Sequence, residues 1–159
     1  MLLASYDQGI FQQVLWNTLQ GHPFESTLSS QLSASVGQGG ELPSVDYERL
    51  GQHFTPTLLL WAPLLGLIGG AALPLVQVGL ITAAGLVLHR LACRQLPERT
   101  ANWIGYGYFA GNALIGPTLG NFTDLCQLPL AVFALMLGAR ERRRWSIATP
   151  ALLMPLIPQ

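Results

Sequence analysis

Residues 73–91, LPLVQVGLITAAGLVLHRL, decide the fold of this chain. They lie within a longer stretch, from Leu50 to Leu88, that contains no Asp, Glu, Lys or Arg. An α-helix rises about 1.5 Å per residue, so about 20 apolar residues cross the hydrocarbon core of a bilayer. The segment therefore predicts a membrane-spanning helix that ends at His89 and Arg90.

Three further stretches are free of charged side chains: residues 100–123, 125–139 and 145–159. Charged residues make up 10% of the chain, against about 25% in a typical soluble domain. A soluble protein of this length has too little polar surface to cover four such segments. A soluble protein with buried helices is the weaker alternative, and it fails if carbonate does not extract the protein from membranes.

The predicted fold class is therefore all-α, a polytopic transmembrane helix bundle with about three or four spanning helices. We place spans over 71–91, 101–119 and 122–139, and a truncated one over 145–157. Small residues on the second of these, with Gly105, Gly107 and Gly111, favour close helix packing in lipid. Residues 56–159 form the transmembrane region.

Residues 56–68 predict a partial or re-entrant helix. Thr55 and Pro56 suit the start of a helix, because proline is favoured at its first position. The apolar run is short for a full crossing, and Gly69 and Gly70 interrupt it. We expect this helix to lie in one leaflet.

Residues 1–55 predict an extracytoplasmic loop region that carries an interfacial helix. Residues 7–20 place Ile10, Phe11 and Val14 on one face, which is the pattern of an amphipathic helix. The serine- and glycine-rich segment that follows is typical of a polar loop.

The arginines indicate the orientation. All cationic residues are arginine, and two clusters, Arg90–Arg99 and Arg140–Arg144, lie beside apolar segments. Positive residues are retained in the cytoplasm. Two predicted spans separate the clusters, and because an even number of crossings returns the chain to the same side of the membrane, both clusters can be cytoplasmic. The clusters are predicted to be cytoplasmic at the bacterial inner membrane, with residues 1–55 and the turn at 117–124 outside.

Three polar side chains are predicted to meet on the outer face: Asp7, His53 and Asp124. An ionisable group at the rim of a membrane bundle indicates a functional site. Plainer alternatives remain for each. Asp7 and Asp124 could cap their helices, and His53 could bind a loop carbonyl or a lipid headgroup. His22 and His89 fit structural roles better.

The sequence shows no phosphate-binding loop, metal-ligand spacing, nucleophile elbow or basic face for nucleic acid. It thus predicts no metal site and no nucleic-acid partner. Cys93 and Cys126 flank different apolar segments and are expected to be unpaired thiols.

Three motifs carry a resemblance to a known family. YDQGIFQQVLWNTLQG (6–21), HFTPTLLLWAPL (53–64) and GPTLGNFTDLCQLPL (116–130) resemble the DUF2079 family of bacterial polytopic membrane proteins. That family is remotely similar to the GT-C glycosyltransferases, which take sugars from polyprenyl-phosphate donors. In the third motif the family usually has a histidine after the phenylalanine, whereas this chain has Thr123 and then Asp124.

The resemblance implies a glycosyltransferase with an acidic residue near its reaction centre in the first extracytoplasmic loop, which matches Asp7. His53 and Asp124 are the implied substrate-binding residues. A groove beside residues 56–68 would take the lipid tail, and a divalent metal at the donor phosphate is left open. We expect the chain to be a fragment of this enzyme, inactive alone. The alternative is a non-catalytic membrane bundle, of transporter-like or scaffolding type, or a decayed gene product.

Overall fold

The computed structural model describes residues 6–31, 36, 39–40, 42, 47–48, 56–120, 122–142 and 144–153. Within these ranges the chain is all-α, as predicted, with one isolated bridge between Glu25 and Glu48. The α-helices are α1 (Tyr6–Leu19), α2 (Thr27–Ser30), α3 (Ala62–Ile68), α4 (Ala72–Cys93), α5 (Glu98–Ala110), α6 (Asn112–Gly120), α7 (Leu128–Glu141) and α8 (Arg144–Leu153). Short 3₁₀ turns, Pro56–Trp61, Gly69–Ala71 and Asp124–Gln127, lead into α3, α4 and α7.

One helical run in the described ranges, Pro56–Cys93, has both the length and the apolarity needed to cross a membrane. Gly69 divides it, because this residue has a φ of +63°, a conformation that glycine adopts far more easily than other residues. The part after the break, α4, has 22 residues and is about 33 Å long. Thus α4 alone is long enough to be the crossing segment.

The two arms of this run fold back on each other. Trp61 and Leu80 line one cavity, although a straight helix would separate them by about 28 Å. Thr57, on the first arm, hydrogen-bonds to Gln127, and Gln77, on α4, hydrogen-bonds to Thr123, which is close to Gln127 in the sequence. Residues 56–68 and the first part of α4 therefore form a helical hairpin with its apex at Gly69.

Helix α1 packs against this hairpin. Ile10, Val14 and Leu15 are almost fully buried and share a cluster with Leu58 and Leu65. At the apex, a Cβ placed on Gly70 would lie 2.9 Å from Nε2 of Gln12. The absence of a side chain at this glycine thus lets α1 approach the bend.

The segment predicted as one helix over 101–119 is broken in the structure. Gly111 has extended backbone (φ −65°, ψ 117°) and separates α5 from α6. Glycine is one of the weakest helix formers, so it interrupts a helix at little cost. The other predicted spans correspond to α4, to Asp124–Glu141 and to α8, whose predicted continuation over 154–157 lies outside the described residues.

Helices α4 and α7 meet through charges at the end far from the hairpin apex. Glu141 accepts from Arg90 at 3.2 Å and lies 3.5 Å from Arg94. This contact brings the two arginine clusters of the sequence to one end of the bundle. We call it the arginine end, comprising Arg90, Arg94, Arg99, Arg140, Glu141 and Arg142.

The outer face of α4 is apolar. Leu75, Val78 and Leu86 are exposed and lie on one side of the helix. Exposed apolar stripes of this kind occur where a helix faces lipid or another protein.

Close packing between α4 and α5 depends on Gly85. A Cβ there would overlap the ring of Phe109 and lie 2.8 Å from Cδ1 of Tyr108. We expect Gly85→Leu to lower the free energy of unfolding by about 1–3 kcal/mol, because an overpacked contact forces side chains off their preferred rotamers.

Gly79 on the same helix provides the matched control, since no atom lies within 4 Å of a Cβ placed there. Gly79→Leu should leave stability nearly unchanged. Thermal unfolding in detergent measures both variants. Equal stability of the two would contradict the close contact at Gly85.

Candidate functional site

Gln77 on α4 fixes the turn between α6 and α7. Its side-chain Nε2 donates to the carbonyl of Thr118 at 3.0 Å, and its Oε1 accepts from the N–H of Thr123 at 2.8 Å. Gln77 is 2% exposed. Both halves of the amide are therefore used, and the residues that follow the turn have a set position against α4.

Asp124 is the first residue of the 3₁₀ turn Asp124–Gln127 and is 8% exposed. The N-cap here is Thr123, whose Oγ1 accepts from the N–H of Leu125 at 3.4 Å. Thr123 is thus the N-cap of the 3₁₀ turn Asp124–Gln127. Buried carboxylates are rare and need compensation, and the first turn of a helix favours a negative charge.

Gln127 joins the 3₁₀ turn Asp124–Gln127 to the hairpin. Its Nε2 donates to Oγ1 of Thr57 at 3.2 Å and to the carbonyl of Asp124 at 3.3 Å, and these contacts are buried. We call Thr57, Gln77, Thr123 and Gln127 the amide cluster. The cluster holds residues 56–68, α4 and the start of α7 together around Asp124.

Asp7 lies in the first turn of α1 and is exposed. Phe11, four residues later and so on the same face, contacts Phe122 with ring centroids 5.5 Å apart and planes at 79°. Phe122 precedes Asp124 by two residues. The structure thus places Asp7 and Asp124 at the same end of the bundle, one in solvent and one buried.

His53, the third predicted site residue, lies outside the described residues. No group of three or more His, Cys, Asp and Glu side chains comes together in the described part of the chain. Asp7 and Asp124 by themselves do not make up the ligand set of a metal ion.

A cavity of about 380 Å³ opens beside the amide cluster. Its walls are mostly apolar and include Leu60, Trp61 and Leu80 from the hairpin and Leu130, Ala134 and Pro150 from α7 and α8. Gln127 also lines it. Ligand pockets are typically about 300–1,000 Å³ and mostly apolar, so this cavity has the size and the lining for an apolar group.

The three residues of the amide cluster missing from the sequence prediction are Thr57, Gln77 and Gln127. For the two glutamines, the available signal was an amide inside an otherwise apolar, uncharged run, because a buried amide needs hydrogen-bond partners. His89, expected to be structural, contacts Asn102 with Nε2 and Oδ1 2.8 Å apart, and His22 lies 3.3 Å from Glu25. Both cysteines are free.

A family model described as a predicted membrane protein (DUF2079) matches residues 1–159. No curated protein and no solved structure matches the chain.

Proposed function

Since the chain belongs to the DUF2079 family of predicted membrane proteins, we propose that it is part of a GT-C-like glycosyltransferase. The enzyme takes a sugar from a polyprenyl-phosphate donor at the outer face of the membrane. The observation that supports this proposal is the contact of Phe11 with Phe122, which puts the helix of the exposed Asp7 beside the segment of the buried Asp124.

Asp7 is the proposed catalytic base. Its carboxylate removes the proton from an acceptor hydroxyl, whose oxygen then attacks the anomeric carbon of the donor sugar. The bond from that carbon to the phosphate oxygen breaks, and the polyprenyl phosphate leaves with the bonding electron pair. The proton on Asp7 passes to water, so the net products are the glycosylated acceptor, polyprenyl phosphate and a proton.

The cavity beside the amide cluster is the proposed site for the lipid tail. It has an apolar lining that includes Gln127, and Gln127 donates to the carbonyl of Asp124, so a tail held there lies beside the residues around Asp124. His53 is the proposed phosphate contact, and Asp124 the proposed residue that binds or orients the substrate.

Several helices would span the membrane under this proposal: α4, then α5 and α6 in succession, then Asp124–Glu141. The α4 stretch is about 33 Å long and Asp124–Glu141 about 27 Å, close to the thickness of the hydrocarbon core; α5 and α6 together have a similar number of residues, divided by the break at Gly111. The arginine end lies in the cytoplasm by the positive-inside rule. Asp7 and residues 1–55 then face the outside of the bacterial inner membrane.

Cys93 tests this orientation, since it is exposed and adjoins the arginine end. In a Cys126→Ser background, a membrane-impermeant maleimide should label Cys93 in inverted vesicles and not in intact cells. A second marker is Gln20→Cys, at an exposed position after α1, in a protein whose two native cysteines are replaced by serine. It should be labelled in intact cells and not in inverted vesicles. The reverse labelling pattern would place Asp7 in the cytoplasm and rule out the proposed chemistry.

The reaction itself is tested with the full-length protein in membranes. Two donors carry the same radiolabelled hexose, one on polyprenyl phosphate and one on a nucleoside diphosphate. We expect label to leave only the polyprenyl-phosphate donor, with release of polyprenyl phosphate, and only in membranes that contain the protein. No donor consumption, or equal use of the nucleotide sugar, would contradict the proposal.

The second candidate function is a non-catalytic membrane bundle. The amide cluster favours it, because the hydrogen bonds of Gln77 and Gln127 join separate helices and so serve packing. This candidate would be preferred if neither donor is consumed while the protein inserts normally.

A further inference from the structure

The arginine end of the bundle carries unpaired positive charge. Glu141 is shared by Arg90 and Arg94. Arg99, Arg140 and Arg142 are exposed, and in the described part of the chain no carboxylate lies within ion-pair distance of them. Three exposed guanidinium groups at one end form a surface that attracts anions.

Two aromatic side chains lie beside this charge. Arg99, Trp103 and Tyr106 follow one another at i, i+4 and i+7 on α5, so they share one face of the helix. Trp103 and Tyr106 are each 66% exposed, and their rings pack edge to face with centroids 6.1 Å apart. Exposed Trp and Tyr in a membrane protein are typical of the interface between headgroups and hydrocarbon.

The spacing along α5 matches the layers of a lipid. Trp103 lies about 6 Å along the helix axis from Arg99, and Tyr106 about 10 Å. With Arg99 at the depth of the phosphates, the two rings reach the glycerol and upper hydrocarbon region. A guanidinium group binds phosphate through two parallel hydrogen bonds, which an ammonium group does not do.

We propose that the arginine end binds the phosphate headgroups of anionic phospholipids, with Arg99, Arg140 and Arg142 as the contacts and with Trp103 and Tyr106 beside the lipid backbone. The proposal concerns the end of the bundle opposite Asp7 and does not rest on the glycosyltransferase activity. A bilayer with phosphatidylglycerol or cardiolipin supplies such headgroups on its cytoplasmic surface.

The test uses the full-length protein in a neutral detergent, with thermal unfolding as the readout. Added phosphatidylglycerol should raise the unfolding temperature more than phosphatidylcholine does, since binding to the folded state alone stabilises it. The selectivity should fall at about 1 M salt, where charges are screened within about 3 Å. Equal stabilisation by the two lipids would overturn the proposal.

The decisive variant is Arg99→Gln/Arg140→Gln/Arg142→Gln. Each arginine near an anionic surface strengthens binding about fivefold, so we expect this variant to bind phosphatidylglycerol at least about tenfold more weakly. Unchanged affinity in the variant would overturn the proposal, as would equal stabilisation of the wild type by inorganic phosphate.

The variant Arg99→Lys/Arg140→Lys/Arg142→Lys is the control for a folding defect. It keeps the charge and loses the forked geometry, so it should fold and retain part of the lipid selectivity. Trp103→Ala should weaken stabilisation by both lipids to a similar degree, because its ring contacts the lipid backbone and not the headgroup. Loss of selectivity in Trp103→Ala alone, with the arginines intact, would contradict the assigned roles.

Discussion

Replacing Asp7 with asparagine in the full-length protein is expected to lower the rate of sugar transfer by about 10²- to 10⁴-fold, the range that a general base contributes. Asparagine has nearly the same shape and cannot accept the proton of the acceptor hydroxyl. Because Asp7 is exposed in the first turn of α1, the change should leave folding and membrane insertion intact. The measurement is the initial rate of label loss from the polyprenyl-phosphate donor.

Glu98→Gln is the matched control for Asp7→Asn. Glu98 is also an exposed carboxylate in the first turn of a helix, α5, but at the opposite end of the bundle. Its replacement removes the same charge from a similar position and should not change the rate. A normal rate in Asp7→Asn would end the assignment of Asp7 as the base and favour the non-catalytic alternative.

Hydropathy was sufficient to predict the all-α fold. The long uncharged runs correspond to helices because the backbone polar groups of an apolar segment must be satisfied within the segment itself. The break at Gly69 was also visible, since two glycines interrupt the run there. The direction that the chain takes after this break could not be predicted, because hydropathy indicates which segments are buried and not which of them pack together. The return of residues 56–68 along α4 depends on contacts such as Thr57 with Gln127.

The sequence prediction of the candidate site named only ionisable residues. Phe11 and Phe122 join α1 to the segment before α7, and the meeting of Asp7, His53 and Asp124 at the outer face stays a prediction. The amides lie outside that set, because they are not ionisable and do not lie at the rim of the bundle. A glutamine in an apolar run carries no charge, and its hydrogen-bond partners are distant in sequence.

Gln77 provides the second large effect. Gln77→Met keeps the length of the side chain and removes both of its hydrogen bonds, which leaves the carbonyl of Thr118 and the N–H of Thr123 without that partner. Leaving a buried polar group unsatisfied costs about 1–3 kcal/mol. We expect the turn before Asp124 to open more often by a corresponding factor, roughly 5- to 150-fold.

Cys126, which is 4% exposed and two residues beyond Asp124, reports this opening. In a Cys93→Ser background, the rate of maleimide labelling at Cys126 should rise by that factor in Gln77→Met. Gln95→Met changes the same side chain at an exposed position beyond α4 and should leave the labelling rate unchanged.

The same variant relates the turn to the proposed chemistry. If Asp124 binds or orients the substrate, a loosened turn should raise the KM for the polyprenyl-phosphate donor more than it lowers kcat, because Asp7 on α1 is untouched. A fall in kcat alone would instead place Asp124 in the chemical step. Unchanged labelling of Cys126 in Gln77→Met would mean that the amide of Gln77 does not hold the turn, and that the position of Asp124 is set by the packing of Phe122 against Phe11.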